Sequence, residues 1–169
     1  MDIRARGGHY SPFIIRSFRM DTQKTEIIGR NRLINELLEA GLEVAMPIRD
    51  RGVDLIAYID IDDEFDRFIA FPIQLKVSTD RRFSVMRKYN RFPHLIIAYV
   101  WGIGDGGNAV TYALTQQEST AIAESMGWTA TASWEKGFYH SVISKKLSQL
   151  LEPYVMTPTA WRTKLLSLI

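Results

Sequence analysis

The sequence predicts an α/β fold, a mixed central β-sheet flanked by helices with a C-terminal helical extension. Three observations carry that expectation. An amphipathic helical segment is followed by five apolar bursts separated by turn signals, and from about Gln116 the chain returns to helical spacing. With 169 residues, 46% hydrophobic and 24% charged, the composition is that of an ordinary globular protein. A single domain is expected over 1–169, divided into an α/β core over 22–115 and a helical and aromatic extension over 116–169.

The first helix is expected to start at Asp21 or Thr22, whose short oxygen-bearing side chains suit an N-cap, and to stop at Gly41. On a helical wheel Ile34 and Leu38 fall within about 20° of Ile27, with Leu33 and Leu37 to one side. That stripe is the expected buried face, which turns Glu36 to solvent. The bursts LEVAMPI, VDLIAYI and FIAFPIQLKV read as three strands, the last two as a hairpin whose tip is the acidic run Asp60, Asp62, Asp63, Glu64 and Asp66. The run lacks the glycine and distal Glu of a calcium loop and is expected to be solvated. HLIIAYVW, apolar on both faces, reads as an interior strand. After the turn GIGDGGN, AVTYALT reads as a fifth. GIGDGGN has no Lys-Ser/Thr and no following helix, so a phosphate cradle is not expected there. QQESTAIAESMG reads as helix, WTATASWEKGFYH as an irregular aromatic stretch, and SKKLSQLLEPYV with TAWRTKLLSLI as the closing helical part.

Composition narrows the chemistry. The chain has no cysteine, which excludes a disulfide framework, a thiolate nucleophile, cysteine-ligated zinc and an iron–sulfur cluster. Any metal must be held by oxygen or imidazole. Lys and Arg number 21 against 19 for Asp and Glu, so an argument for a polyanionic partner has to be local. No apolar run reaches the roughly 18 residues of a membrane span, and the Arg-studded N-terminus does not resemble a secretory signal, so a cytoplasmic protein is expected.

Two short stretches stand out. Asp54 follows the Arg51-Gly52-Val53 turn, and Gln74-Leu75-Lys76 closes the next strand. Strand side chains alternate, so Gln74 and Lys76 share a face, and Asp54 joins them there if the two strands are hairpin partners. A carboxylate, an amide and an ammonium then meet at a strand end. Asp after a glycine turn also suits a turn former, and Lys in a strand suits a solvated edge; the apolar run around Lys76 argues for a paired or functional cation.

Over roughly residues 22–102, including the EIIGRNRLINELLEAGLEV lead-in, the sequence resembles the PD-(D/E)XK nuclease superfamily, the restriction-endonuclease-like fold, in its branch with Gln in the second motif. The resemblance implies a divalent-metal-dependent endonuclease hydrolysing phosphodiester bonds in DNA, with Mg2+ or Mn2+ as cofactor. It implies Asp54 and Gln74 as metal ligands and Lys76 as the group holding the attacking water or the phosphate charge. The family's helix carries a Glu after the helix-start glycine. Arg30 follows Gly29 here, and Glu26, one turn earlier and about 6 Å away along the axis, is the substitute ligand and catalytic carboxylate. That departure sustains an alternative, a catalytically silent module of the same fold that binds nucleic acid or a protein partner.

From Gln74 to Arg91 the basic residues Lys76, Arg81, Arg82, Arg87, Lys88 and Arg91 face the single acid Asp80, with Phe83, Tyr89 and Phe92 interleaved. Arg81, Arg82, Arg87, Lys88 and Arg91 are the expected phosphate contacts, against the alternative of a solvated loop. Around Trp134, Tyr139, His140, Ser141 and Ser144, a helix cap with aromatic packing or a secondary DNA contact is expected. His9 and His94 have no ligand spacing. Cutting both strands of a duplex would call for a twofold homodimer.

Overall fold

The computed structural model describes residues 21–49, 51–60 and 67–169. Helix α1 (Thr22–Glu39) starts where the sequence predicts. The Asp21 side chain accepts the Lys24 N–H at 2.8 Å, and Gly41 takes a positive φ of 73° beyond the last turn. The strands are β1 (Glu43–Ala45), β2 (Leu55–Tyr58), β3 (Ala70–Ser78), β4 (Arg82–Met86), β5 (Ile96–Trp101), β6 (Val110–Thr115) and β7 (Phe138–Val142). Five of them form the central sheet in the order β1-β2-β3-β5-β6, with β3 and β5 parallel and the other neighbours antiparallel. The mixed sheet flanked by helices is thus present, and β2 and β3 are the expected antiparallel partners. In the expected hairpin tip only Asp60 is described; Asp62, Asp63, Glu64 and Asp66 lie outside the described residues, as does His9.

The sheet separates two apolar layers. On one face, Ile73, Leu75, Ile96, Ala98 and Val100 pack with Leu33 and Leu37 of α1 and with Trp161 and Leu165 of α5 (Pro158–Leu166). On the other, Ile97, Tyr99, Trp101 and Leu114 pack with Phe83, Val85, Tyr89 and Trp128. Ile122 and Ala123 of α2 (Gln116–Ser125) and Leu147 and Leu151 of α4 (Lys145–Leu151) complete that layer. All of β5 is buried, as its two-sided apolarity predicts.

Two expectations are corrected. The buried face of α1 is not centred on Ile27, Ile34 and Leu38: Ile27 and Leu38 are about half exposed, at 54% and 48%, and the buried residues are Thr25, Gly29, Leu33 and Leu37. Gly29 explains the rotation, because a Cβ there would collide with both Val77 methyls on β3, so the helix lies against the sheet along its smallest side chain. With that turn Glu36 leaves solvent. It accepts from Thr111 Oγ1 at 2.9 Å and Trp161 Nε1 at 3.3 Å, and pairs with Arg32 at 2.9 Å. The basic connection and the aromatic stretch, read as irregular, contain β4 and β7, which pair with each other as a separate two-stranded ribbon; a short helix α3 (Ala132–Glu135) precedes β7. Among the described residues, no helix is long and apolar enough to cross a membrane.

Candidate functional site

Gly52 turns the chain into β2 with φ at 95°, a conformation that favours glycine. The Asp54 N–H then donates to Ile73 O at 2.8 Å and extends the β2–β3 ladder by a step. Because Leu55 pairs with Ile73, Asp54 stands across from Gln74 on the same face. Oδ2 of Asp54 accepts the Leu75 backbone N–H at 2.6 Å and the Gln74 side-chain amide. Gln74, buried to 8% exposure, also donates to Leu75 O at 3.3 Å and accepts at Oε1 from the Tyr89 hydroxyl at 3.1 Å. Asp54 and Gln74 are therefore locked together by their own hydrogen bonds.

Lys76, two residues along β3, lies on that face with its Nζ 5.9 Å from the centroid of the Tyr89 ring; Lys88 Nζ approaches the same ring at 5.0 Å. Tyr89 sits in the 3-10 turn 87–91, almost fully buried, and touches both polar members of the second motif. Its hydroxyl both donates and accepts.

A cleft of about 750 Å³ opens beyond the carboxyl ends of β3 and β5. The sheet side contributes Asp54, Gln74, Lys76, Ser78 and Trp101. The first turns of α1 add Thr22, Thr25 and Glu26 at the rim, while Arg82, Ser84 and His140 of the ribbon face them from the other side. The ends of parallel strands are where α/β sheets ordinarily receive ligands, since the connections diverge there.

Of the residues singled out from sequence, Asp54, Gln74, Lys76 and Glu26 thus share one cleft. Glu26 is ion-paired with Arg30 and lies at the solvent side of the rim. The five basic positions come from three neighbouring stretches of the chain. Arg82 lines the cleft and pairs with Asp80 at 3.4 Å, whereas Arg87, Lys88 and Arg91 belong to the 3-10 turn and Arg81 precedes β4. Sequence reasoning set Tyr89 among the aromatics of the basic segment and His140 in a helix cap or secondary DNA contact, and placed neither of them, nor Ser84, beside Asp54. The alternation in RFSVM and FYHSV was the available signal, but each strand's partner is remote in the chain.

Among the described residues, no group of three or more Asp, Glu or His side chains has the proximity of a metal cage. The donors that do converge suit a hard, largely hydrated cation such as Mg2+, which takes one or two protein carboxylates and keeps several waters. Asp54 supplies a carboxylate. Gln74 supplies an amide oxygen if its side chain makes a half-turn, after which the NH2 donates to the Tyr89 hydroxyl oxygen and no hydrogen bond to Tyr89 is lost.

No protein-family model and no curated protein matches the chain. Among solved structures it is similar to a bacterial homing endonuclease, I-Ssp6803I, at a TM-score of 0.46 and 15% identity, over 87% of this chain and 93% of that one.

Proposed function

We propose that this protein is a divalent-metal-dependent endonuclease of the PD-(D/E)XK type acting on DNA. The observation that carries the reading is the meeting of Asp54, Gln74 and Lys76 on one face at the carboxyl end of β3, in a cleft open to solvent. Asp54, with Gln74 and a water-bridged Glu26, would hold Mg2+ or Mn2+. When bound, such a cation lowers the pKa of water and neutralises charge growing on a phosphodiester. The protein's own groups do the rest. Lys76 holds the non-bridging phosphate oxygens or orients the attacking water, its ammonium positioned by the Tyr89 ring face. The Leu75 N–H fixes the Asp54 carboxylate so that it need not reorganise during reaction. Arg81, Arg82, Arg87, Lys88 and Arg91 provide phosphate contacts that hold the duplex over the cleft. A cut through both strands needs two such clefts, which a C2 homodimer supplies.

Two observations favour a second reading, a silent DNA-holding module. Glu26 is engaged by Arg30, and the Gln74 amide presents a donor rather than an acceptor to Asp54. The two readings part in a plasmid-nicking assay with Mg2+ or Mn2+. Cleavage by the wild type that falls by about a thousandfold or more in Asp54→Asn and Lys76→Ala, with circular dichroism unchanged, supports the enzyme. Duplex binding without cleavage in either metal supports the silent module. Gln74→Glu is expected to tighten Mn2+ binding measured calorimetrically, because a second anionic oxygen joins Asp54.

A further inference from the structure

We propose that the β4–β7 ribbon is a base-reading element that enters the major groove of the duplex whose backbone crosses the cleft. The inference rests on the nucleic-acid reading above, moves Arg82 from the phosphate contacts to the base edges, and gives sequence discrimination to it and to Ser84, His140, Phe138 and Val142, which that reading leaves unused.

Four observations point to it. The first is position: Arg82, Ser84 and His140 line the same cleft as Asp54 and Lys76, so a duplex with a phosphate at Lys76 brings neighbouring base pairs against the ribbon. The second is shape. The ribbon is two antiparallel strands of five residues, and strands lie about 4.8 Å apart, which fits a major groove about 12 Å wide.

The third is the chemistry of the outer face. Arg82 with Val142, Ser84 with His140, and Phe138 lie on the outer face, while Phe83 and Val85 are fully buried and Met86, opposite Phe138, packs half-buried against the inner layer. The outward positions of the two strands carry a guanidinium, a hydroxyl, an imidazole and apolar groups, and the exposed Asp80 just before β4 pairs with the guanidinium at 3.4 Å. Phe138 and Val142 remain 45% and 68% exposed, and the His140 ring lies parallel to that of Phe138 at 6.1 Å. Guanidinium and imidazole donors beside apolar surface match purine edges and the thymine methyl. The 3-10 turn next to it carries Arg87, Lys88 and Arg91, a composition for phosphates instead.

The fourth is support from beneath. The Tyr99 hydroxyl donates to Ser84 O at 2.6 Å, and Phe83 packs 4.9 Å from the Tyr99 ring. Trp128 stacks on Tyr139 at 4.6 Å. Arg87 N–H to Gly137 O at 2.8 Å and Ile143 N–H to Arg81 O at 3.2 Å close the ladder at both ends. The inner face fixes the ribbon, so its outer side chains are presented without being needed to hold it.

The test is a selection from duplexes with a randomised centre, in EDTA so that no cutting intervenes, with anisotropy titrations over several salt concentrations. The wild type is expected to enrich a motif. Arg82→Ala and the double variant Phe138→Ser with Val142→Ser are each expected to reduce discrimination about tenfold or more at one or two positions, with the motif elsewhere intact. Lys88→Ala with Arg91→Ala is expected to weaken all sequences alike and to lower the log–log salt slope by about 0.9 per contact. An unchanged motif in the ribbon variants overturns the proposal, as does a wild type that binds with a steep salt slope yet enriches nothing. In both of those cases DNA binding itself stands. No binding to any duplex at low salt removes the nucleic-acid reading and this inference together.

Discussion

The two walls of the cleft are built on opposite principles. The sheet wall, from β2 and β3, presents polar groups that are buried and mutually bonded, with Asp54, Gln74 and Tyr89 in one chain of hydrogen bonds above a core of Ile73, Leu75 and Val77. The ribbon wall presents Arg82, Ser84 and His140 from a two-stranded element that takes its stability from the aromatic layer behind it. Disturbing the first strands buried polar atoms, each costing about 1–3 kcal/mol. Disturbing the outer face of the second removes groups already in contact with water. The contrast separates what must be rigid for chemistry from what is free to vary in recognition.

Three measurements sharpen or break that contrast. The largest effect is expected at Gly29, where an Ala side chain would enter the space of Val77 directly beneath the sheet wall. Gly29→Ala should destabilise by about 1–3 kcal/mol in urea titrations. A neutral outcome would mean that α1 is free to lift off β3, and the wall would not be the stiff partner.

Next comes Tyr99, the tie between the walls. Tyr99→Phe leaves Ser84 O without this donor and should cost roughly 1 kcal/mol at neutral pH. Burial raises the Tyr99 hydroxyl pKa far above its ordinary value of 10.0, so the folded state keeps a proton that the unfolded chain releases. Its contribution is therefore complete below the unfolded value and is lost as pH rises past it, at up to about 1.4 kcal/mol per pH unit. Urea midpoints between about pH 9 and about pH 11 should fall more steeply in the wild type than in Tyr99→Phe. Parallel curves would remove Tyr99 from the alkaline response.

The smallest effect is expected on the ribbon's outer face. Val142→Thr should change stability by no more than about 0.5 kcal/mol. A loss several times larger would show that the exposed face is a structural surface after all.

How much of this was legible in the sequence follows from the range of the forces involved. The β2–β3 hairpin and the shared face of Asp54, Gln74 and Lys76 depend on period-two alternation and a glycine turn, both local, and both were readable. The face of α1 was not. Its apolar residues are spread around the helix, and the side that packs is chosen by Gly29, a residue without hydropathy to advertise it, and by Trp161 and Thr111, which draw Glu36 inward from far along the chain. The ribbon was hidden for a related reason. Arg82 opens β4, and Arg81, Arg87 and Lys88 bracket it and make it read as a solvated connection, while its partner β7 lies beyond β5, β6, α2 and α3.

The parallel pairing of β3 with β5 has a consequence for how the molecule comes into being. A parallel pair cannot be joined by a tight turn, so the connection must cross over, and here the crossover carries β4 and the turn bearing Tyr89. On a ribosome, Asp54, Gln74 and Lys76 emerge before β5 exists to fix β3 in the sheet interior, and β4 must wait longer still for β7. Closing such long loops is entropically slow, which puts the ribbon's pairing among the late events of folding. A nascent chain stalled after β6 would carry the sheet side of the cleft with its opposite side still unpaired, so the complete cleft arises only after β7 has been made.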